Sequence, residues 1–323
     1  MITQAPKMTT TSSFTNFLKS KWRSSPKDGR QSRINAITDV ERDWVRHSAL
    51  KLALDGDFKA PIDQILKSGG SEVLDIGCGA GFWTTDMANK YPISHFTGID
   101  IDKNIFPTGN VSRNVVFQRV DLLELPLPYE NDTFDFIFIR CMMDVIPDEQ
   151  WDAVLQELVR IMKKGAYIEC LETYPALVDA GPAMTTIMQL ANAPDQAMSA
   201  AIQNPLPNRM AAISQLMGMQ IKHIHTPVGR YGGAVGMLLL EHWDRIIESN
   251  KQKWIQSKLI SEKQLAAATN DLHEEVDSYQ TYMSWYSVVA QKKGYKGPLI
   301  IIEDFDSLIM NNDNDTNDNN SDG

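Results

Sequence analysis

An α/β fold built on a doubly wound, mostly parallel seven-stranded sheet is predicted by three observations. Short apolar runs alternate with helical patterns between residues 73 and 171, the signature of parallel strands joined by crossover helices. The first run, Val73-Leu74-Asp75-Ile76, leads into three alternating glycines, Gly77, Gly79 and Gly81, which reads as strand, tight turn and helix start. Far downstream, the Tyr, Trp and Val-rich run Tyr282–Ala290 reads as a closing strand, and with the strand before it forms a reversed final hairpin.

The elements follow in order. Residues 1 to about 36 are rich in Ser and Thr, basic and poor in apolar anchors, so they bury too little surface to offset the entropy of ordering and read as a disordered arm. Thr38 with Glu41 forms a capping box, opening a helix over Val40, Trp44, Ala49, Leu52 and Leu54 that stops near Gly56 and lies near the mouth of the sheet. A short helix follows Pro61. Strands are predicted at 73–76, 96–100, 115–119, 134–139 and 166–171, with a helix over 83–90. In an open parallel sheet the carboxyl ends share one rim, so Asp75, Asp100, Asp121 and Arg140 should converge there.

After the fifth strand come a Met- and Ala-rich helix over Pro182–Ala201, a helix over Asn208–Met217 and a sixth strand at Met219–His225. Helices over Val235–Glu248 and Ser261–Val276 precede the closing strand, the second opened by a capping box of Ser261 with Gln264. Leu299–Ile302 is an apolar run without an assigned place, and the Asn/Asp-rich end beyond Asn311 reads as compositional disorder. The organisation is therefore an arm over 1–36, one domain over 37–292 with helical additions at about 175–218 and 230–280, and an extension over 293–323.

Composition excludes several classes. With 43% hydrophobic and 22% charged residues the chain has ordinary globular usage, and no apolar run approaches the ~18–20 residues that span a bilayer. The net charge of −10 owes much to Glu303, Asp304, Asp306, Asp313, Asp315, Asp318 and Asp322. The remaining body is mildly acidic, which disfavours a nucleic-acid partner. Cys78, Cys141 and Cys170 are odd in number and lack metal or redox spacing, so they read as reduced, structural and intracellular, with no metal site. Lys7, Lys19, Lys21, Arg23, Lys27 and Arg30 precede or flank the first acid, Asp28; a disordered arm is preferred to a mitochondrial presequence, giving a cytoplasmic or nuclear protein with a mitochondrial alternative.

The glycine turn lets the backbone approach a nucleotide-like cofactor. A dinucleotide fingerprint starting at Gly77 would need glycine at position 82, where Phe82 stands. The D-x-G-x-G-x-G spacing from Asp75 to Gly81 resembles motif I of class I S-adenosylmethionine (SAM)-dependent methyltransferases, whose Rossmann-like fold the predicted sheet also resembles. Further stretches narrow the likeness. Leu54-Asp55-Gly56 running on to Ala60-Pro61-Ile62, Glu41-Arg42 with His47, Phe134–Arg140 and Lys164–Glu169 are similar to fungal methyltransferases related to the velvet-associated regulator of secondary metabolism.

That resemblance implies a site. Asp75, Ile76, Gly77, Cys78, Gly79 and Gly81 would form the loop at the methionyl group, Asp100 with Ile101 would meet the ribose, and Asp121 with Leu122 would flank the adenine. Arg140 would present its backbone carbonyl near the sulfonium. A carboxylate at a strand end suits a vicinal diol, and an acid beside an apolar residue suits an exocyclic amine over a packed ring. Methyl transfer needs a base only where the acceptor carries a proton. Glu172, past the fifth strand, is the catalytic candidate, ahead of Tyr174, Asp144, His223 and His225. No N/D-P-P-Y stretch follows the fourth strand, which disfavours amide- or adenine-nitrogen methylation of that type. The implied function is methyl transfer to a small-molecule acceptor in preference to a protein, and the competing class is a regulatory protein that keeps SAM or only the fold and acts through a partner.

Overall fold

The computed structural model describes residues 30–109, 111–143, 145–192 and 205–294. One seven-stranded sheet runs through them in the order β3-β2-β1-β4-β5-β7-β6. Its strands are β1 (Glu72–Ile76), β2 (His95–Asp100), β3 (Val115–Arg119), β4 (Phe134–Arg140), β5 (Met162–Val178), β6 (Leu216–Pro227) and β7 (Tyr282–Lys292). All pairings among β1 to β5 are parallel, whereas β7 runs antiparallel to both β5 and β6. This is the reversed hairpin expected from the sequence.

The strands are apolar on both faces because helices cover both. Phe136 and Phe138 point into one core layer with Trp83, Met87 and Leu240, while Ile137 and Ile139 point into the other with Trp151, Leu155 and Leu158, as the two-residue period of a strand requires. The helices are α1 (Arg30–Ala53), α2 (Asp63–Ser68), α3 (Phe82–Lys90), α4 (Trp151–Ile161), α5 (Pro182–Asn192), α6 (Leu206–Ala212), α7 (Gly233–Gln256) and α8 (Glu262–Tyr279). Trp83 of α3 stacks on Phe138 with ring centroids 4.2 Å apart. Burial of one such side chain contributes about 1.5–3 kcal/mol.

Several boundaries differ from the sequence reading. No cap forms at Thr38, because α1 begins at Arg30 and runs straight through it; α1 therefore takes in residues 30–36 of the expected arm. Beyond Ala53 the chain leaves the helix through Asp55 and Gly56, both with positive φ. Strand β5 is far longer than expected at 17 residues, because its second half continues alongside β7. Residues 193–201 of the expected helix, Leu299–Ile302 and the tail lie outside the described residues, as do residues 1–29 of the arm. Among the described residues no helix is long and apolar enough to cross a membrane.

Candidate active site

A cavity of about 700 Å³ opens at the carboxyl ends of the parallel strands. Its floor carries Gly77, Gly79, Asp100, Ile101, Asp121, Leu122 and Arg140. These seven expected site residues, distant in sequence, are brought together because β1, β2 and β4 are neighbours whose ends share one rim. The loop after β1 is tied to β2 by a hydrogen bond from Cys78 N–H to the Ile99 carbonyl at 2.9 Å. Gly77 adopts φ +63°, and a Cβ there would run into the Met142 thioether. The glycine thus makes room for the protein's own packing as well as for a ligand.

Asp100 is held in place at both oxygens, accepting from Gly79 N–H and from Asp102 N–H, each at 3.0 Å. Each oxygen keeps a lone pair for a further donor. Asp121 accepts from Leu123 N–H at 2.9 Å, and the Ile99, Val120 and Leu122 side chains give an apolar wall beside it. An acid fixed for a diol and an acid next to an apolar wall fit the ribose and adenine of an adenosyl group.

Four expected residues do not line the cavity. Asp75 lies below the loop, buried, with its Oδ2 accepting from the Thr84 hydroxyl at 2.6 Å. Burial pushes its pKa up to about 6, against the opposing pull of the Thr84 hydrogen bond. Ile76 is a core residue, Gly81 packs against the Phe117 ring, and burial raises the Cys78 thiol well above its ordinary pKa.

Glu172, the expected base, also faces away from the cavity. Side chains alternate along β5, so Thr173 lines the cavity and Glu172 points to the other side. There it is 1% exposed and accepts from Met142 N–H at 2.8 Å and Met143 N–H at 3.2 Å. It braces the turn after β4. His223 and His225 sit exposed on the edge strand β6 and line no part of the cavity. Asp144 and the Tyr174 side chain lie outside the described residues.

The ceiling comes from α1 and α7, which the strand pattern did not reveal. Helix α1 supplies Arg42, Asp43 and Arg46, and α7 supplies His242, Trp243, Ile246 and Asn250. The two helices are joined by the ion pair of Arg245 with the buried Glu41. Beside them, α5 adds Met188 and Ala191, and the paired ends of β5 and β7 add Leu177, Met283 and Trp285. Arg46 donates to Asp43 at 3.1 Å, and Asp43 Oδ2 stands next to Gly79.

Arg140 links this ceiling to the outside. Its Nη1 donates to His47 Nδ1 at 3.2 Å, and His47 Nε2 lies 3.1 Å from Asp86. Arginine offers donors only, so Nδ1 must be the acceptor and Nε2–H donates to Asp86. Burial lowers the His47 pKa and keeps this ring neutral. For Asp86 burial pushes upward, but hydrogen bonds from His47 and Lys51 prevail and hold it at about 2.

Residues 73–165 match the model of a family described as a methyltransferase domain. The segment is similar to a methyltransferase domain. Class I methyltransferases use S-adenosylmethionine, and the floor residues are of the kind that fit it. Among curated proteins the chain is 33% identical over 109 residues to demethylmenaquinone methyltransferase of Bacillus cytotoxicus, covering 32% of this chain and 45% of that one. It matches the Staphylococcus aureus protein of the same name at 33%, covering 32% and 44%. The matched segment thus spans under half the length of these relatives. Among solved structures, phosphoethanolamine N-methyltransferase 2 of Haemonchus contortus in complex with S-adenosyl-L-methionine has a TM-score of 0.46 at 14% identity, covering 90% of this chain and 62% of that one. A putative sarcosine dimethylglycine methyltransferase of Galdieria sulphuraria has a TM-score of 0.43 at 14% identity, covering 86% and 98%. The matched segment therefore provides the cavity floor, while the ceiling is built from helices outside it.

Proposed function

We propose that the chain is a SAM-dependent methyltransferase acting on a small molecule. The observation that carries this reading is the convergence of Gly77, Gly79, Asp100, Asp121 and Arg140 on one cavity that continues beyond them under α1 and α7. The adenosyl group would lie over Asp100 and Asp121, and the acceptor would occupy the space walled by α5, α7 and the β5–β7 ends. The names of the curated relatives, demethylmenaquinone methyltransferases, favour a small-molecule acceptor over a protein.

Methyl transfer is an in-line displacement at an activated sulfonium carbon, so the protein's work is to align the two reactants and exclude water. Alignment can supply roughly 7–11 kcal/mol of the barrier. The ceiling of α1 and α7 is suited to exclude water, and Arg140 to hold the methionyl side by charge. In this reading Asp75, Ile76, Cys78 and Gly81 support the loop from below. Three finer expectations travel with the proposal: a relation to the fungal velvet-associated methyltransferases, a regulatory protein partner, and a cytoplasmic or nuclear location. The domain limits of 37–292 are carried too, with α1 reaching back beyond them to Arg30.

Calorimetric titration with SAM and S-adenosylhomocysteine (SAH), beside Asp100→Ala, tests the reading. Micromolar binding to the parent that weakens about tenfold or more in the variant is expected, since charged hydrogen bonds contribute about 1.5–3 kcal/mol each. A folded parent that binds neither ligand, or a variant with parental affinity, would refute it.

A further inference from the structure

We propose that His47 is a positioning residue for the cofactor: its Nδ1 lone pair holds the Arg140 side chain so that the remaining guanidinium donors take the α-carboxylate of the methionyl group. The inference rests on the reading that SAM occupies the Asp100 end of the cavity, and it adds the group that recognises the amino-acid end and the residue that aims it.

Arg140 closes β4, whose end runs in register with the end of β1, Ile139 beside Ile76. It therefore stands next to the start of the glycine loop, and it lines the cavity. One of its donors is committed, Nη1 to His47 Nδ1 at 3.2 Å. The Nε–H and Nη2 groups make no hydrogen bond among the described residues, and neither nitrogen is sealed from solvent. These two nitrogens form the side-on fork of a guanidinium, which matches the two oxygens of a carboxylate. Asp43, the ceiling acid beside Gly79, complements it. A guanidinium and a carboxylate on either side of the glycine loop suit the two opposite charges of an amino-acid group.

The choice of anchor matters because His47 is neutral. A carboxylate bonded to Nη1 would cancel much of the charge on which recognition of an anion depends, whereas an imidazole lone pair fixes the direction of the side chain and leaves its charge to the ligand. That lone pair exists only while the proton sits on Nε2. Asp86 keeps it there by accepting from Nε2–H at 3.1 Å, and Asp86 is itself held by Lys51. Phe82, at the position where a dinucleotide fingerprint has glycine, lies nearly parallel to the imidazole with ring centroids 6.2 Å apart. The buried ring is thus fixed by α1, α3 and β4 together. His47 lies outside the matched segment 73–165, so a ceiling helix aims a side chain that belongs to the floor.

The test titrates the full chain by calorimetry with SAH and with its decarboxylated counterpart, S-(5′-adenosyl)-3-thiopropylamine, which keeps the ammonium and lacks the carboxylate. The parent should bind SAH about tenfold or more tightly than the amine. His47→Gln puts an amide donor for Asp86 at the Nε2 position and takes the acceptor away from Arg140, and should weaken SAH about tenfold while the amine binds as before. His47→Asn is the reciprocal change, with an amide oxygen at the Nδ1 position, and should hold SAH within about threefold of the parent. Equal binding of the two ligands by the parent, or parental SAH affinity in His47→Gln, would overturn the proposal. So would an equal loss of both ligands in His47→Gln, which marks a structural role alone, or a loss of SAH in His47→Asn as large as in His47→Gln. A parent that binds neither ligand refutes the cofactor reading itself, and the role of His47 falls with it.

Discussion

At the scale of single residues, two buried carboxylates, Asp75 and Glu172, stand in different settings. Asp75 has a folded pKa of about 6 against an ordinary 3.8. The native state therefore holds this proton more tightly than the unfolded chain does. Its contribution to stability is fully present below about pH 4 and is lost as pH rises through about 6. The loss amounts to about 3 kcal/mol at 1.36 kcal/mol per unit. Asp75→Asn keeps an acceptor for the Thr84 hydroxyl and should flatten the urea-unfolding free energy between pH 4 and 6; a slope equal to the parent's would count against it. Glu172 differs in having both oxygens engaged by Met142 and Met143 N–H. In Glu172→Gln one amide NH₂ would face an N–H donor, so stability should fall by about 1–3 kcal/mol. An unchanged urea midpoint would show that these bonds brace nothing.

At the scale of elements, one sequence pattern succeeded and failed in the same chain. Ser261 with Gln264 forms a complete capping box, the Ser261 side chain accepting from Gln264 N–H and the Gln264 side chain returning to Ser261 N–H. Ser261→Ala should destabilise by about 1 kcal/mol, read as a lower thermal midpoint with SAH affinity unchanged. Thr38 with Glu41 has the same spacing and caps nothing. The difference lies upstream: Lys258 at φ +57° breaks the chain out of helix before Ser261, whereas residues 30–40 contain no Gly or Pro to stop α1 short of Thr38. A capping box is legible only where something has already ended the preceding helix. Strands were easier to read, since an apolar run buried on both faces has few other uses, but its length was not. The extension of β5 past Leu171 depends on pairing with β7, a contact that local sequence does not encode.

At the scale of the molecule, the cavity floor was legible and its ceiling was not. The floor follows from strand order, because parallel neighbours deliver their ends to one rim. The ceiling requires α1 and α7, at opposite ends of the sheet sequence, to pack together through Glu41 and Arg245. This two-part construction has a consequence for dynamics. A ligand that touches Asp100 on the floor and Arg42, Arg46 or Asn250 on the ceiling must couple helices to the sheet. At about 100 times its Kd, SAH should stabilise the chain by about 2.7 kcal/mol. Hydrogen exchange should then slow at residues 40–50 and 240–250 as well as at 76–80, while α8, which contributes nothing to the cavity lining, changes least. Protection confined to the floor would mean that α1 and α7 roof the cavity without closing on its contents.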